Sequence, residues 1–199
     1  MLNLPGGKPR PDIPLAGSPI PKPEEIIILS PVLLEATIKI GRALKDAKAK
    51  WALGGDAGEV MLGVNVHPDR LEILTTKEGT EEICGILANY VTVAPAQVEK
   101  KLAREADVEA KMLPVYVKSY YAELTVDGAK VEIYGDEQLK VWEWDWGDPL
   151  DYVPEMMNVL GTRVPVVPLR LKSELDLGLG WFDRVELISD AVMRAQHRH

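Results

Sequence analysis

A glycine pair at the end of a short apolar run constrains this chain more than any other feature. Trp51-Ala-Leu-Gly54 has the composition of a buried strand, Gly55 follows it, and Asp56–Leu62 predicts a short helix. A second predicted strand, Leu71–Thr75, then carries Glu72. Glycine lets the backbone approach phosphate oxygens, amides at a helix start point toward an anion, and a carboxylate on the next strand can hold a bridging metal ion. This order of elements is that of a phosphate-handling site.

The remainder of the chain alternates helical and strand-like segments. Ser30-Pro31 is a helix start, and Asp127-Gly128 is the turn pair expected between hairpin strands. The patterns predict helices over Pro31–Lys50, Thr80–Asn89, Ala94–Lys111 and Phe182–Ala195, and strands over Val115–Leu124 and Lys130–Tyr134. Early alternation followed by a hairpin favours an α/β or α+β fold, a mixed sheet with helices packed on it in two or three layers.

Seven prolines set residues 1–23 apart from the rest. That density excludes a helix or a central strand, so we expect a Pro-rich extended arm that lies on the surface or docks on a partner. Residues 24–199 are then expected to form a single domain with a helical C-terminal part. Further prolines break the C-terminal third into short pieces.

The composition excludes some classes of protein. A net charge of −8 argues against broad nucleic-acid binding, although a local basic groove stays open. The chain has no apolar run long enough to span a bilayer and no signal-peptide pattern, so we expect no membrane partner and a cytoplasmic location. Glu, Lys and Arg are frequent and Gln and Asn scarce, which is a weak thermophile signature. A homo-oligomer is compatible with the sequence.

Indoles alternate with acids in Trp142-Glu-Trp144-Asp-Trp146. We expect these indoles to cover the edge of the core, because the flanking acids repel a phosphate backbone. A platform on which bases stack is the alternative.

Together these motifs resemble the minimal nucleotidyltransferase family of the polymerase-β-like superfamily. The family pattern is a glycine pair, a helix, a strand with two acids one residue apart, and a third acid on a later strand. Gly54-Gly55 matches the glycine pair, Glu72 the second acid, and Glu132 the third. Arg70 stands where the first acid belongs, so the acidic motif is degenerate. In order of elements the resemblance spans residues 31–190.

The resemblance implies transfer of a nucleoside monophosphate from a nucleoside triphosphate to a hydroxyl group. It implies that Glu72 and Glu132 bind Mg²⁺, and that Gly54 and Gly55 hold the triphosphate. The candidate catalytic residues are Glu72, Glu132 and Asp69, and the candidate substrate-binding residues are Gly54, Gly55, Arg70 and Arg184. Glu72 and Glu132 are predicted to face each other on adjacent strands beside the glycine pair.

Two residues depart from the family pattern. Arg70 cannot bind Mg²⁺ and would repel an ion held by Glu72, unless it replaces that ion between two carboxylates. Asp69 would supply the missing acid only if a bulge turned it to the face of Glu72. Asp56 is expected to cap the helix after the glycines, and it places negative charge where phosphate would lie.

Three functions are compatible with these residues. The first is a nucleotidyltransferase, and the second is a non-catalytic interaction or sensing module of the same fold. The third is an unrelated α+β domain whose glycine pair is only a turn.

Overall fold

The computed structural model describes residues 29–102 and 114–196. The strands are β1 (Trp51–Gly54), β2 (Leu71–Thr75), β3 (Val91–Leu102), β4 (Val115–Val126), β5 (Ala129–Val141), β6 (Glu155–Val159) and β7 (Thr162–Val166). The α-helices are α1 (Pro31–Ala43), α2 (Gly55–Met61), α3 (Lys77–Ile86), α4 (Leu169–Leu179) and α5 (Phe182–Gln196), and a 3₁₀ turn covers Ala88–Tyr90.

The strands form one mixed sheet in the order β3-β4-β5-β2-β1-β7-β6. Strands β2 and β5 are parallel, as are β1 and β7, and the other neighbours are antiparallel. The α/β expectation is therefore confirmed.

One face of the sheet carries the core. Leu71 and Ile73 of β2 and Val131 and Ile133 of β5 are fully buried, and they join a single apolar cluster with residues of α1 and α3. Because side chains alternate along a strand, Glu72 and Glu132 project to the opposite face. The sheet thus has an apolar helix-covered face and a polar face.

Several predicted elements are confirmed, with shifted ends. Strands β1 and β2 have the predicted bounds, and Ser30 caps α1 by accepting a hydrogen bond from the Leu33 amide at 3.4 Å. Helix α1 ends at Ala43 rather than Lys50. The chain then turns, and the amides of Lys48 and Ala49 donate to the carboxylate of Glu82 at 2.8 Å each, which leads the backbone into β1.

The predicted helix Ala94–Lys111 is wrong over the described residues. Residues Val91–Leu102 form the edge strand β3, paired with β4. The charged residues in this segment suggest an exposed helix, but the β-branched valines at 91, 93 and 98 suit a strand. Pro95 is accommodated because it falls at a register shift of an edge strand, where no ladder hydrogen bond is lost. Residues 103–111 lie outside the described residues.

The C-terminal third contains a hairpin that the prolines concealed. Strands β6 and β7 meet at Leu160-Gly161, where both residues have positive φ angles of 47° and 82°. That conformation is the type I′ hairpin turn, which fits the twist of the flanking strands.

The Pro-rich arm predicted for residues 1–23 lies outside the described residues. None of the helices within 29–102 and 114–196 is both long and apolar enough to cross a membrane.

Helix α2 sits directly on β1 because Gly58 has no side chain. A Cβ atom at this position would lie 2.7 Å from the backbone oxygen of Leu53. We predict that Gly58→Ala destabilises the protein by roughly 1–3 kcal/mol, the cost of overpacking, although alanine favours helix formation by about 1 kcal/mol. Chemical denaturation of both proteins measures the difference.

Gly85→Ala is the matched control. Gly85 also lies in a helix, α3, but nothing lies within 4 Å of an added Cβ atom. This variant should be at least as stable as the natural chain. Equal effects of the two substitutions would contradict the close approach of α2 to β1.

Candidate functional site

Two carboxylates meet on the polar face of the sheet. Glu72 of β2 lies in register with Glu132 of the parallel strand β5, and on its other side it pairs with Gly54 of β1. The sequence-based prediction that Glu72 and Glu132 face each other beside the glycine pair is confirmed. Their roles as catalytic residues or metal ligands stay predictions.

The guanidinium of Arg70 bridges these two carboxylates. Its Nη2 lies 2.9 Å from Oε1 of Glu72, and its Nε lies 2.9 Å from Oε2 of Glu132. Its Nη1 donates to Oδ1 of Asp69 at 2.9 Å. Asp69 precedes β2 and its carboxylate is exposed, so it reaches the site only through Arg70.

Glu132 is the centre of a dense set of donors. Its carboxylate accepts hydrogen bonds from Lys130 at 2.7 Å, Tyr134 at 2.7 Å and Tyr121 at 3.2 Å, while its side chain is only 7% exposed. Burial alone would raise the pKa of Glu132, but the hydrogen bonds from Lys130 and Tyr134 and the charge of Arg70 lower that pKa to about 2. Glu132 is therefore a permanent anion at neutral pH.

Glu72 lies in a different environment. Burial raises its pKa, and the charge of Arg70 offsets this only in part. Its carboxylate rests on Gly55, where an added Cβ atom would lie 2.5 Å from Oε2, and Gly55 has a φ angle of +54°. Glycine is needed here because a side chain would meet both a carboxylate and an unfavourable backbone conformation. The second glycine of the pair thus makes room for Glu72.

A second ion-pair network joins α2 to the C-terminal helices. Nη2 of Arg184, on α5, lies 2.6 Å from both Oδ1 of Asp56 and Oε2 of Glu59. Lys172, on α4, pairs with Asp176 and lies 3.7 Å from Oε1 of the buried Glu59. The predicted capping role of Asp56 is wrong. Gly54 occupies the N-cap position, and Asp56 points to Arg184 instead.

The polar face also carries residues that the sequence patterns did not indicate. Lys100 of β3 lies over the rings of Tyr121 and Tyr134, 5.0 Å from each centroid, and donates to the Tyr134 hydroxyl at 3.1 Å. Tyr134 alternates with Glu132 on the predicted strand, which is a usable signal. The sequence contains no comparable signal for Lys100, because the pattern of its segment predicts a helix.

A β-bulge brings a further acid toward the site. The register of β4 and β5 shifts between Lys118 and Tyr120, and Asp136 has a φ angle of 48°. The carboxylate of Asp136 accepts a hydrogen bond from the Lys77 amide of α3 at 3.1 Å. The extra residue on β5 places Glu137 on the face of the sheet that carries Glu72. Burial and the charge of Glu72 raise the pKa of Glu137 to about 7.

The donor set does not fit a magnesium ion. Mg²⁺ needs oxygen ligands around an open position, whereas the facing oxygens of Glu72 and Glu132 are both bonded to a guanidinium that cannot lose its proton. Within the part of the chain that the structure describes, no three His, Cys, Asp or Glu side chains are grouped so that they could hold a metal ion.

Comparisons with known proteins agree with this architecture. Residues 36–185 match the sequence pattern of the aminoglycoside-2''-adenylyltransferase family. A crystal structure of a proposed nucleotidyltransferase from Thermotoga maritima superposes with a TM-score of 0.62 at 26% identity, covering 84% of this chain and 96% of that chain. No curated protein sequence matches the chain. The fold is thus a nucleotidyltransferase fold.

Replacing Arg70 should convert the bridge into a metal site. Arg70→Asp replaces the cation between Glu72 and Glu132 by a third carboxylate, and of these three acids only Glu132 keeps a described ion pair, with Lys130. The variant should therefore melt below the natural chain in chelator. We expect the lower end of the roughly 3–5 kcal/mol that follows loss of one partner of a buried pair, because 38% of the Arg70 side chain is exposed. Added Mg²⁺ should restore stability by binding the folded state. Thermal unfolding against Mg²⁺ concentration measures both effects.

Arg163→Asp, on the exposed side of β7, makes the same charge change away from the site and serves as control. It should show no Mg²⁺-dependent stabilisation. If the natural chain gains as much from Mg²⁺ as Arg70→Asp does, Arg70 does not occupy a metal-like position.

The depressed pKa of Glu132 predicts a defined pH dependence. A carboxyl whose pKa is lower in the folded than in the unfolded chain stabilises the fold above its ordinary pKa of 4.5, and this stabilisation is lost as the pH falls toward 2. Glu132→Gln should therefore cost about 3 kcal/mol at pH 7, from roughly 1.4 kcal/mol per unit of pKa. The deficit should shrink between pH 4.5 and 2. Urea unfolding of both chains at several pH values measures it, and a deficit independent of pH would contradict the assignment.

Proposed function

Because the chain belongs to the aminoglycoside-2''-adenylyltransferase family, we propose that it uses the nucleotidyltransferase fold to bind a nucleoside triphosphate or related phosphate ligand without magnesium-dependent nucleotidyl transfer. The observation that carries this proposal is the bridge from Arg70 to Glu72 and Glu132, at 2.9 Å on both sides. The alternative of an unrelated α+β domain is overturned by the family match.

The proposed loss of nucleotidyl transfer is argued from the charges at the bridge between Arg70, Glu72 and Glu132. Metal ions in nucleotidyl transfer stabilise the charge that develops on the reacting phosphate. Here the guanidinium and the ammonium of Lys130 together balance the charges of Glu72 and Glu132, the carboxylates that would hold such an ion. The three nitrogens of the guanidinium are each engaged by Asp69, Glu72 or Glu132. The oxygens of Glu72 and Glu132 that face each other already accept hydrogen bonds from this permanent cation, so a metal ion between them would meet occupied ligand positions and the repulsion of the guanidinium.

The proposed binding of a phosphate ligand depends on Arg184. Burial lowers the pKa of Arg184, but the charges and hydrogen bonds of Glu59 and Asp56 outweigh burial and raise that pKa. The guanidinium therefore stays protonated. Only Nη2 is engaged by these acids, and among the described residues no side chain accepts from its Nε or Nη1. The N–H groups of Nε and Nη1, on a partly buried guanidinium that contacts Asp56 beside the glycine turn, are available to a phosphate.

Asp56 would move when such a ligand binds. The Asp56 carboxylate is half-exposed and shares Nη2 of Arg184 with the buried Glu59. A phosphate oxygen and the Asp56 carboxylate repel each other at this position, so the ligand replaces Asp56 as a partner of Arg184. Binding is therefore expected to be weak, with an affinity that rises when Asp56 is removed.

Calorimetric titration with ATP, in chelator and in Mg²⁺, tests the proposal. We expect similar affinity in both conditions, a loss of at least about tenfold in Arg184→Gln from removal of a charge-assisted contact, and no loss in Arg170→Gln. Arg170 is an exposed residue of α4 and is the charge-matched control. A pyrophosphate-release assay with an aminoglycoside acceptor, chosen after the family name, should give no signal.

The outcomes separate the competing functions. Pyrophosphate release at an ordinary enzymatic rate would show an active transferase and would overturn the loss of transfer. Absence of any ATP binding, with the fold intact, would overturn the phosphate ligand and leave the interaction module. Equal losses in Arg184→Gln and Arg170→Gln would show that binding occurs elsewhere.

A further inference from the structure

On the face of the sheet opposite the carboxylate site, β3, β4 and β5 carry lysines interspersed with aromatic rings. We define this lysine–aromatic face by Tyr116, Lys118 and Tyr120 of β4, Lys101 of β3, Lys140 of β5, Lys77 of α3 and Trp146. Tyr116, Lys118 and Tyr120 share one face because they alternate with the buried Val115, Val117 and Ser119. This face is distinct from the one that carries Glu72 and Glu132.

The cations and rings are in direct contact. Nζ of Lys140 lies 4.9 Å from the centroid of Trp146 and 5.2 Å from that of Tyr116. Lys118 lies 5.8 Å from Trp146, and Lys77 lies 5.1 Å from Tyr120. Lys101 and Lys140 are the register partners of Tyr116 on its two sides. Cation–π contacts thus hold the ammonium groups against the rings.

The sequence predicts that the indoles of Trp142, Trp144 and Trp146 cover the edge of the core. This prediction is wrong. Strand β5 ends at Val141, and Trp142 adopts a positive φ of 55° as the chain turns. Trp142 and Trp144 are each 47% exposed, and Trp146 meets Lys118 and Lys140. The indoles therefore belong to the surface.

We propose that the lysine–aromatic face is a binding surface for single-stranded nucleic acid. Four lysines are clustered on this face of a chain with net charge −8, and three of them lie against aromatic rings. Cations placed beside rings suit a ligand that offers both phosphates and bases. Flat rings interleaved with cations suit bases that stack and phosphates that pair, whereas an acidic peptide would use the lysines alone.

The spacing supports this partner. Successive residues on one side of a strand lie about 6.6–6.8 Å apart. Tyr116, Lys118 and Tyr120 thus present ring, cation and ring at intervals close to the length of one nucleotide in an extended strand. On binding, Lys118 and Lys140 exchange a ring for a phosphate, and the ring is freed for a base.

The acids nearby limit the strength of binding. Glu99 is the register partner of Lys118, and Glu81 accepts a hydrogen bond from the Tyr120 hydroxyl at 3.0 Å. Glu143 and Asp145 flank the exposed indoles. Binding is therefore local, involves few phosphates and depends strongly on salt, which agrees with the absence of broad nucleic-acid binding expected from composition.

The test is fluorescence anisotropy with a labelled oligothymidylate of about ten nucleotides, a length within the range of one binding platform. With three or four phosphates neutralised, the logarithm of the affinity should fall with the logarithm of salt concentration with a slope of about −2 to −3. Lys118→Gln combined with Lys140→Gln should reduce that slope by about 1.4 and weaken binding at about 50 mM salt at least about tenfold. Trp146→Leu should weaken binding without changing the slope, since it removes stacking alone.

Arg163→Gln combined with Arg170→Gln is the matched control, because it removes two exposed cations from β7 and α4, remote from this edge of the sheet. It should bind like the natural chain. The proposal is overturned by absence of binding at about 50 mM salt, by an equal loss in the control, or by an oligoglutamate peptide that competes as well as the oligonucleotide. The last result would identify an acidic protein as the partner.

Discussion

The three-residue bridge between Arg70, Glu72 and Glu132 determines the properties of the polar sheet face. Two carboxylates in register on parallel strands repel each other, and a sheet cannot move them apart without losing its hydrogen bonds. The fixed cation between them removes that conflict at every pH at which the protein folds, because the pKa of arginine lies far above neutrality. A site of this kind is complete without any ligand, whereas a metal-binding site would depend on one.

The same principle recurs where α2 meets the C-terminal helices. Glu59 is buried, and burial raises its pKa, yet Lys172 and Arg184 bring two cations to it from α4 and α5. The two networks lie on successive elements, α2 and β2, and Gly55 at the start of α2 lies against the carboxylate of Glu72. Charge balance within the chain therefore also fixes the relative positions of the helices. The cost of dehydrating these ions means that they contribute specificity of packing more than stability.

The sequence predicted the site well where the signal was local. The strand positions of Glu72 and Glu132 and the glycine turn followed from short runs of residues, and the bridging position of Arg70 followed from its place two residues before Glu72. Lys100 and Glu137 could not be found in this way. Lys100 lies in β3, a charged edge strand exposed on both faces, so neither helical nor strand periodicity is visible. Glu137 faces the site only because of a bulge, and a bulge changes the parity of a strand without leaving a hydrophobic pattern.

That bulge divides β5 into two parts, in which side chains of the same parity point to opposite faces of the sheet. Before Gly135, even-numbered residues such as Glu132 and Tyr134 face the carboxylate site, and after Asp136 the odd-numbered residues do. Lys140 consequently lies on the same side of the sheet as Tyr116. Its cation–π contacts therefore depend on the extra residue that the bulge adds to β5. An insertion or deletion at this point would exchange the two faces of β5 beyond the bulge while β4 stays as it is. An evolving lineage could therefore move the charges of this half-strand to the other side of the sheet by changing chain length instead of changing side chains.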